Sequence, residues 1–298
     1  MARRRIHGES FAMLTTLVEP QVLAAELANP QWAVIDCRFD LQQPEWGRAA
    51  WAQNHIPHAL YADLDRDLSG ARGPATGRHP LPAPQALAAT FSRWGIDAGV
   101  QVIAYDQGPG MYAARLWWLL RWLGHEAVAV LNGGLAGWQR AGLPLSGESS
   151  ARPARAFVAR VHPGMTASAS QVAAALQSGA LASGAMLLVD ARGADRFGGE
   201  NETLDTVAGH IPGARNHPFT GNQGADGRFL DAAQLQARWQ ATLAGGAAGE
   251  VVAMCGSGVT ACHNLLALEV AGLPGARLYG GSWSEWITDP AHPVARGR

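Results

Sequence analysis

The chain repeats itself, and that repeat limits the folds open to it more than any other feature. Ala33-Val-Ile-Asp36-Cys-Arg38 matches Leu187-Leu-Val-Asp190-Ala-Arg192, and His55-Ile-Pro-His-Ala59 matches His210-Ile-Pro-Gly-Ala214. Val102-Ile-Ala-Tyr-Asp106 matches Val251-Val-Ala-Met-Cys255. Val130-Leu-Asn-Gly133 with Trp138 matches Leu278-Tyr-Gly-Gly281 with Trp286. The four pairs are collinear and about 150 residues apart, one domain length. A 298-residue chain of this kind is a duplicated domain.

Each half alternates short apolar runs with helical segments, the rhythm of a parallel sheet covered by helices. Strands are expected at 33–36, 102–105, 127–131, 187–190, 251–254 and 276–279. Helices are expected at 21–28, 84–94, 113–123, 170–177, 232–243 and 262–271. The Ser-, Arg- and Pro-rich stretch 146–163 reads as a linker. The expected organisation is therefore a domain over 10–145, the linker, and a domain over 164–298. The fold class is α/β, each domain a mainly parallel sheet flanked by helices.

Residues 251–263 carry the chemistry. The apolar run Val251 to Met254 delivers Cys255 into a Gly256-Ser257-Gly258 turn, and a helical pattern then runs until Gly272 and Pro274 stop it. A cysteine where strand gives way to helix meets free backbone N–H groups and the positive end of the helix dipole, which favour thiolate over thiol. Gly256 and Gly258 let the backbone curl around the sulfur. The spacing describes an anion cradle at the carboxyl end of a strand, where ligands collect in such sheets. The expectation is an exposed, electron-rich sulfur at the mouth of the second half; the plain alternative is a cysteine packed as a small hydrophobe.

Composition removes other chemistries. There is no lysine, all 23 basic residues being Arg, which excludes Schiff-base and pyridoxal-phosphate chemistry and a Walker A loop. A net charge of −1 argues against nucleic acid or an anionic membrane as partner. Three dispersed cysteines are no disulfide framework and fit a reducing, cytoplasmic setting. No apolar stretch follows Arg3 to Arg5, so no signal peptide is expected, and Leu116 to Leu123, broken by Arg121, is too short to span a bilayer. Gly108-Pro-Gly110 mimics a dinucleotide fingerprint but has Pro109 inside it and no acidic ribose partner about 20 residues on. Cys255 and Cys262, seven residues apart, lack zinc-site spacing. Cys37 and Cys262 read as packing residues, with Cys262 also open to a resolving role. Neither a metal nor a cofactor is expected.

Taken together, Cys255-Gly-Ser-Gly-Val-Thr-Ala261, Gly209-His-Ile-Pro-Gly-Ala214, Val189-Asp-Ala-Arg192, Tyr279-Gly-Gly-Ser-Trp-Ser-Glu-Trp286, Asn54-His-Ile-Pro57, Arg115-Leu-Trp-Trp118 and Leu131-Asn-Gly-Gly-Leu-Ala-Gly-Trp138 resemble the tandem-domain rhodaneses. These are sulfurtransferases acting on thiosulfate or 3-mercaptopyruvate, and the likeness covers nearly the whole chain. It implies two rhodanese-like domains, of which only the second is reactive, because Asp106 stands at the cysteine position of the first. It implies a Cys255 persulfide, loaded from a small-molecule donor and discharged to cyanide or to a thiol such as thioredoxin or glutathione. Gly256, Gly258, Val259 and Thr260 would cradle the sulfur, with Thr260 equally open to a helix N-cap role.

Family members that favour thiosulfate tend to carry basic residues after the cysteine. The uncharged Gly256 and Ser257 follow the 3-mercaptopyruvate pattern, with thiosulfate as the alternative donor. Arg192, at the family's substrate-binding position, and Arg196 would grip a carboxylate, a salt bridge to Asp190 being the other use for Arg192. In the mercaptopyruvate branch Ser257 would polarise the substrate carbonyl, assisted by His55 and an acid from the first half, Glu45 or Asp63. Against this, His55 has a twin in His210, which points to a turn histidine in each copy. A Cys-dependent phosphatase would need Arg where Ala261 stands, and a non-catalytic binding module would have no use for the intact loop.

Overall fold

The computed structural model describes residues 13–297. Arg3 to Arg5, where a signal peptide is not expected, and the outermost residues of the two expected domains, 10–12 and 298, lie outside that range. In chain order the first half contains β1 (Leu17–Val18), α1 (Pro20–Glu26), β2 (Trp32–Asp36), α2 (Trp46–Gln53), β3 (Leu60–Tyr61), α3 (Pro84–Arg93), β4 (Gln101–Tyr105), α4 (Met111–Trp122), β5 (Val128–Leu131) and α5 (Gly134–Arg140). The second contains β6 (Thr166–Ala167), α6 (Ala169–Gln177), α7 (Ala180–Ser183), β7 (Leu187–Asp190), α8 (Ala194–Gly198), β8 (Arg215–Asn216), α9 (Ala232–Leu243), β9 (Val251–Met254), α10 (Thr260–Val270), β10 (Arg277–Tyr279) and α11 (Ser282–Trp286).

Both sheets are five-stranded with the same order, β1-β5-β4-β2-β3 and β6-β10-β9-β7-β8, and their ladders are parallel. Parallel neighbours need crossover helices, and those helices bury both faces of the sheet. The strands accordingly read as unbroken apolar runs, such as Trp32-Ala-Val-Ile and Val251-Val-Ala-Met. The central strands, β4 and β9, end at the residues before Asp106 and Cys255.

One core face belongs to each half alone, centred on Trp138 in the first and on Trp283 and Trp286 in the second. The remaining faces merge into a single apolar cluster that runs through both halves, with α4 packed on α10. Residues 147–162 carry no helix or strand, yet they are fastened along the first half. Arg152 donates to Trp32 O (2.7 Å), Arg155 N–H to Ser92 O (3.0 Å) and His162 N–H to Trp122 O (2.9 Å). No helix among the described residues is long and apolar enough to cross a membrane.

Candidate active site at the Cys255 loop

β9 and α10 place Cys255 at the centre of the second sheet's carboxyl edge. Its Sγ accepts a hydrogen bond from Gly258 N–H (3.1 Å). Its own N–H donates to Ser282 Oγ (3.1 Å), and the carbonyls of Cys255 and Gly256 accept from Trp283 and Ser284 N–H, so the start of α11 pins the loop. Gly258 sits at φ +78°, and a Cβ there would collide with Gly280 O. No other residue fits that position.

The first half shows what such a loop does with an anion. The Asp106 carboxylate turns back into it and accepts from the N–H groups of Gly108 (3.0 Å), Gly110 (2.8 Å), Tyr112 (2.9 Å) and Ala113 (3.4 Å). Burial raises the Asp106 pKa, and the four N–H donors oppose that rise. The first cradle is filled by its own side chain. In the second, the corresponding residue is a sulfur.

Cys255 is only 2% exposed, which corrects the expectation of an exposed thiol. It lies on the wall of a cavity of about 70 Å³ lined by both halves: Gly256, Ser257, Val259, Thr260 and Arg196 from the second, with Arg78, His79, Leu64 and Tyr112 from the first. The first-half loop 62–83 crosses over to close the site, because the α4–α10 contact brings the two sheet edges face to face.

Ser257 Oγ lies 2.8 Å from His79 Nδ1, and His79 Nε2 lies 3.4 Å from Asp65 Oδ1, within reach but outside hydrogen-bond geometry. Burial, reinforced by Arg115, Arg72 and Arg78, pulls the His79 pKa down to about 3, so the ring is neutral near pH 7. Arg115, on α4, is fully buried beneath this group. It donates to Gly258 O (3.2 Å), His79 O (3.1 Å) and Leu68 O (3.3 Å), tying the loops of the two halves together.

The sequence reading names His55 as the histidine partner of Ser257, and the structure overturns that. His55 Nδ1–H donates to Trp51 O (2.7 Å), its ring stacks on Trp51, and its backbone exchanges hydrogen bonds with Ser146. His210 repeats the arrangement with Phe197 and Ala295. Both are turn histidines. Glu45 pairs with Arg66 at the surface, and Asp63 accepts from the N–H groups of Asp65 and Arg66. His79 and Arg115 have one usable sequence signal. Neither belongs to the four strings that repeat between the halves, and the second half places Asn264 where the first has Arg115, so these residues lack the twin that His55 has in His210.

Arg192 also moves out of the substrate site. Its guanidinium, 1% exposed, forks onto Asp190 (2.7 Å), donates to Gly209 O (2.8 Å) and lies over the Trp283 ring. Although burial opposes its charge, Asp190 raises the Arg192 pKa above its ordinary value. Arg38 does the same with Asp36 and Asn54 O, so the pair is a strand-end brace in each half. Arg196 does face the cavity, held by Glu202 (2.8 Å) and Asp205 (3.2 Å). Thr260 is the first helical residue of α10, Val259 taking the N-cap place. Cys262 donates to Gly258 O (3.2 Å), and burial pushes its thiol up to about 12; Cys37 is likewise buried.

A family model described as a rhodanese-like domain matches residues 19–141 and again 168–289. A Pseudomonas aeruginosa protein named probable 3-mercaptopyruvate sulfurtransferase is 52% identical, over 94% of this chain and 98% of its own. A Mycobacterium tuberculosis protein with a provisional thiosulfate sulfurtransferase name is 40% identical, over 93% of this chain and 96% of its own. Among solved structures, the Escherichia coli 3-mercaptopyruvate sulfotransferase SseA superposes with a TM-score of 0.78 at 33% identity, covering 91% of this chain and 100% of that one. The Leishmania major 3-mercaptopyruvate sulfurtransferase gives 0.80 at 32%, covering 91% and 74%. With both halves matched, the chain belongs to the rhodanese-like family.

Proposed function

We propose that this chain is a 3-mercaptopyruvate sulfurtransferase whose working domain is the second, 164–298, with the 10–145 domain completing its site across the 146–163 linker. The observation that carries this reading is the placement of Ser257 and neutral His79 beside Cys255 in a small cavity that also holds arginine. A dianion such as thiosulfate needs only positive charge. An α-keto acid also needs its carbonyl polarised while its carboxylate is held, and this cavity has groups for both.

The Cys255 thiolate attacks the donor's sulfur. The carbon–sulfur bond breaks, its electron pair forms the enolate of pyruvate, and a proton then converts that enolate to pyruvate. The sulfur stays as a Cys255 persulfide. Ser257 Oγ–H donates to the developing enolate oxygen, with His79 Nδ1 fixing the hydroxyl's position. Negative charge on sulfur meets Gly258 N–H and the first turn of α10. An acceptor, cyanide or a thiol such as glutathione or thioredoxin, then attacks the outer sulfur and regenerates the thiolate.

Thiosulfate stays the competing donor on one observation: Arg78 and Arg196 bring positive charge beside Gly256 although the loop itself is uncharged. Steady-state turnover of both donors with cyanide and with thioredoxin decides between them, and 3-mercaptopyruvate is expected to have the higher kcat/KM. A preference for thiosulfate overturns the donor assignment. Cys255→Ser is expected to abolish the added sulfur seen by intact-protein mass spectrometry; an undiminished signal overturns the nucleophile.

A further inference from the structure

Arg115 lies beneath the Cys255 loop, fully buried, and among the described residues its hydrogen bonds go to backbone carbonyls alone: Gly258 (3.2 Å), His79 (3.1 Å) and Leu68 (3.3 Å), with Pro80 at 3.5 Å. A cation taken out of water among neutral partners is costly unless an anion answers it. Burial lowers the Arg115 pKa, and the groups that oppose this loss of charge are two sulfurs, Cys262 and then Cys255. Gly258 joins all three: its carbonyl accepts from Arg115 Nη1 and from Cys262 Sγ (3.2 Å), and its N–H donates to Cys255 Sγ (3.1 Å). Cys262 keeps its proton, since it gives that proton to Gly258 O and burial pushes the thiol up to about 12. The sulfur left to carry negative charge is Cys255. We propose that Arg115 is the counter-cation of the Cys255 thiolate, lent to the reactive half by the half that has no nucleophile. The proposal rests on Cys255 as the nucleophile and holds for either donor.

Charge balance around the sulfur singles Arg115 out. Behind the loop, Arg192 is matched by Asp190 (2.7 Å). On the cavity wall, Arg196 forks onto Glu202 (2.8 Å) and Arg78 pairs with Asp205, so these three arginines meet three carboxylates. From loop 62–83, His79 is neutral near pH 7, and Asp65 behind it is paired with Arg72 (2.7 Å). The remaining uncompensated charge is the Arg115 guanidinium. Paired charges largely cancel at a distance, whereas a single buried one acts through a poorly screening interior. The Gly258 N–H and the first turn of α10 stabilise the sulfur anion locally, and Arg115 adds a full unit of opposite charge from below. The same charge faces the loop while the persulfide forms and when the acceptor has removed the outer sulfur.

The plainer role for Arg115, a strut fastening loop 62–83 to Gly258, makes a different prediction. The test uses the full-length protein as wild type, Arg115→Met, which removes the charge, and Arg115→Lys, which keeps it and loses the fork. Each is alkylated with iodoacetamide, an uncharged reagent, at pH 6.5 and pH 9.5, and the label on the Cys255 peptide is followed by mass spectrometry so that Cys37 and Cys262 do not contribute. The ratio of the rate at pH 6.5 to the rate at pH 9.5 is expected to fall about 10- to 100-fold in Arg115→Met. In Arg115→Lys it is expected to stay within about threefold of wild type, although lysine is the less stable variant. A strut predicts the reverse order, with reactivity following stability. An unchanged ratio in Arg115→Met, an equal fall in Arg115→Lys, or rates altered by one factor at both pH values would each overturn the counter-cation. Wild-type label landing on another cysteine, with Cys255 unlabelled, would instead remove the nucleophile on which the proposal rests.

Discussion

Replacing Arg115 tests the seam between the halves, and the ranking of two substitutions is the informative outcome. Its guanidinium is buried, and among the described residues no carboxylate pairs with it. Its shorter bonds go to the carbonyls of Leu68, His79 and Gly258, with Pro80 O at 3.5 Å, and burial lowers its pKa. Bonds from a charged donor are worth about 1.5–3 kcal/mol each, so losing three costs roughly 4–5 kcal/mol at the lower figure. Burying an unpaired cation costs several kcal/mol, and Arg115→Met removes that penalty along with the bonds. The two nearly cancel, leaving a net loss of about 0–2 kcal/mol. Arg115→Lys keeps a buried cation but lacks the fork that reaches three carbonyls. It forfeits two bonds and recovers nothing, a loss of about 3 kcal/mol or more. Lysine, the conservative choice, is therefore the worse substitute in urea denaturation. Activity follows a different order, since either change frees the His79 backbone and the Gly258 carbonyl; kcat should fall about 10-fold or more in both, in line with the cost of sub-ångström misplacement. Lys tolerated better than Met, or wild-type kcat in Arg115→Met, would refute this reasoning.

Gly258→Ala forces a left-handed φ on alanine and drives a methyl group into Gly280 O, so it should cost about 1–3 kcal/mol and at least roughly 10-fold in kcat/KM. Gly164→Ala, where a Cβ meets open space, is the control, and equal effects at the two sites would contradict the account. Acid should destabilise the protein below pH 6.5: burial holds His79 and His263 at about 3 and His217 at about 4, so the unfolded chain takes up protons that the native one does not. The stability present above pH 6.5 is lost toward pH 4 at about 1.4 kcal/mol per unit for each histidine, read as melting temperature against pH; a flat profile from pH 7 to 5 would count against it.

The sheets were legible because a parallel strand buried on both faces has to be written as an apolar run. The six expected strands fall within one residue of their places. The six expected helices fall within two, while α2 and α5 had no expectation. The edge strands β1, β3, β6 and β8 are two residues each and α8 and α11 five each, too short for periodicity to register. Within the site, the Cys255 loop could be read because its chemistry is local, with strand end, glycines and helix start following one another. Arg192 and His55 misled for one shared reason. Each has a partner a few residues away, Asp190 and Trp51, and a twin in the other half, Arg38 and His210, so their job is to brace a repeated corner. His79, Arg78 and Arg115 act across the domain seam at sequence separations that no local pattern encodes.

The seam also explains why a half with a filled cradle remains part of the molecule. The crossing is reciprocal. Loop 62–83 covers Cys255, and loop 217–231 covers Asp106, with Gln223 donating to Pro109 O (2.7 Å) and Phe229 N–H to Asn132 Oδ1 (2.9 Å). On the Asp106 side the Phe229 ring stacks on His263, whose Nε2–H donates to Pro109 O, and both rings are buried. On the Cys255 side the crossing loop brings His79 and Arg78 and leaves a cavity. The two sheets have equivalent strand orders, and α4 packs on α10 between them. In the first half the Asp106 carboxyl fills that half's own cradle, and the 62–83 loop lines the cavity of the other. The second half alone would keep the sulfur and the Gly258 N–H but lose Arg78, His79 and Arg115 together. The chemistry therefore belongs to the pair of domains, and the half without a nucleophile is part of the site.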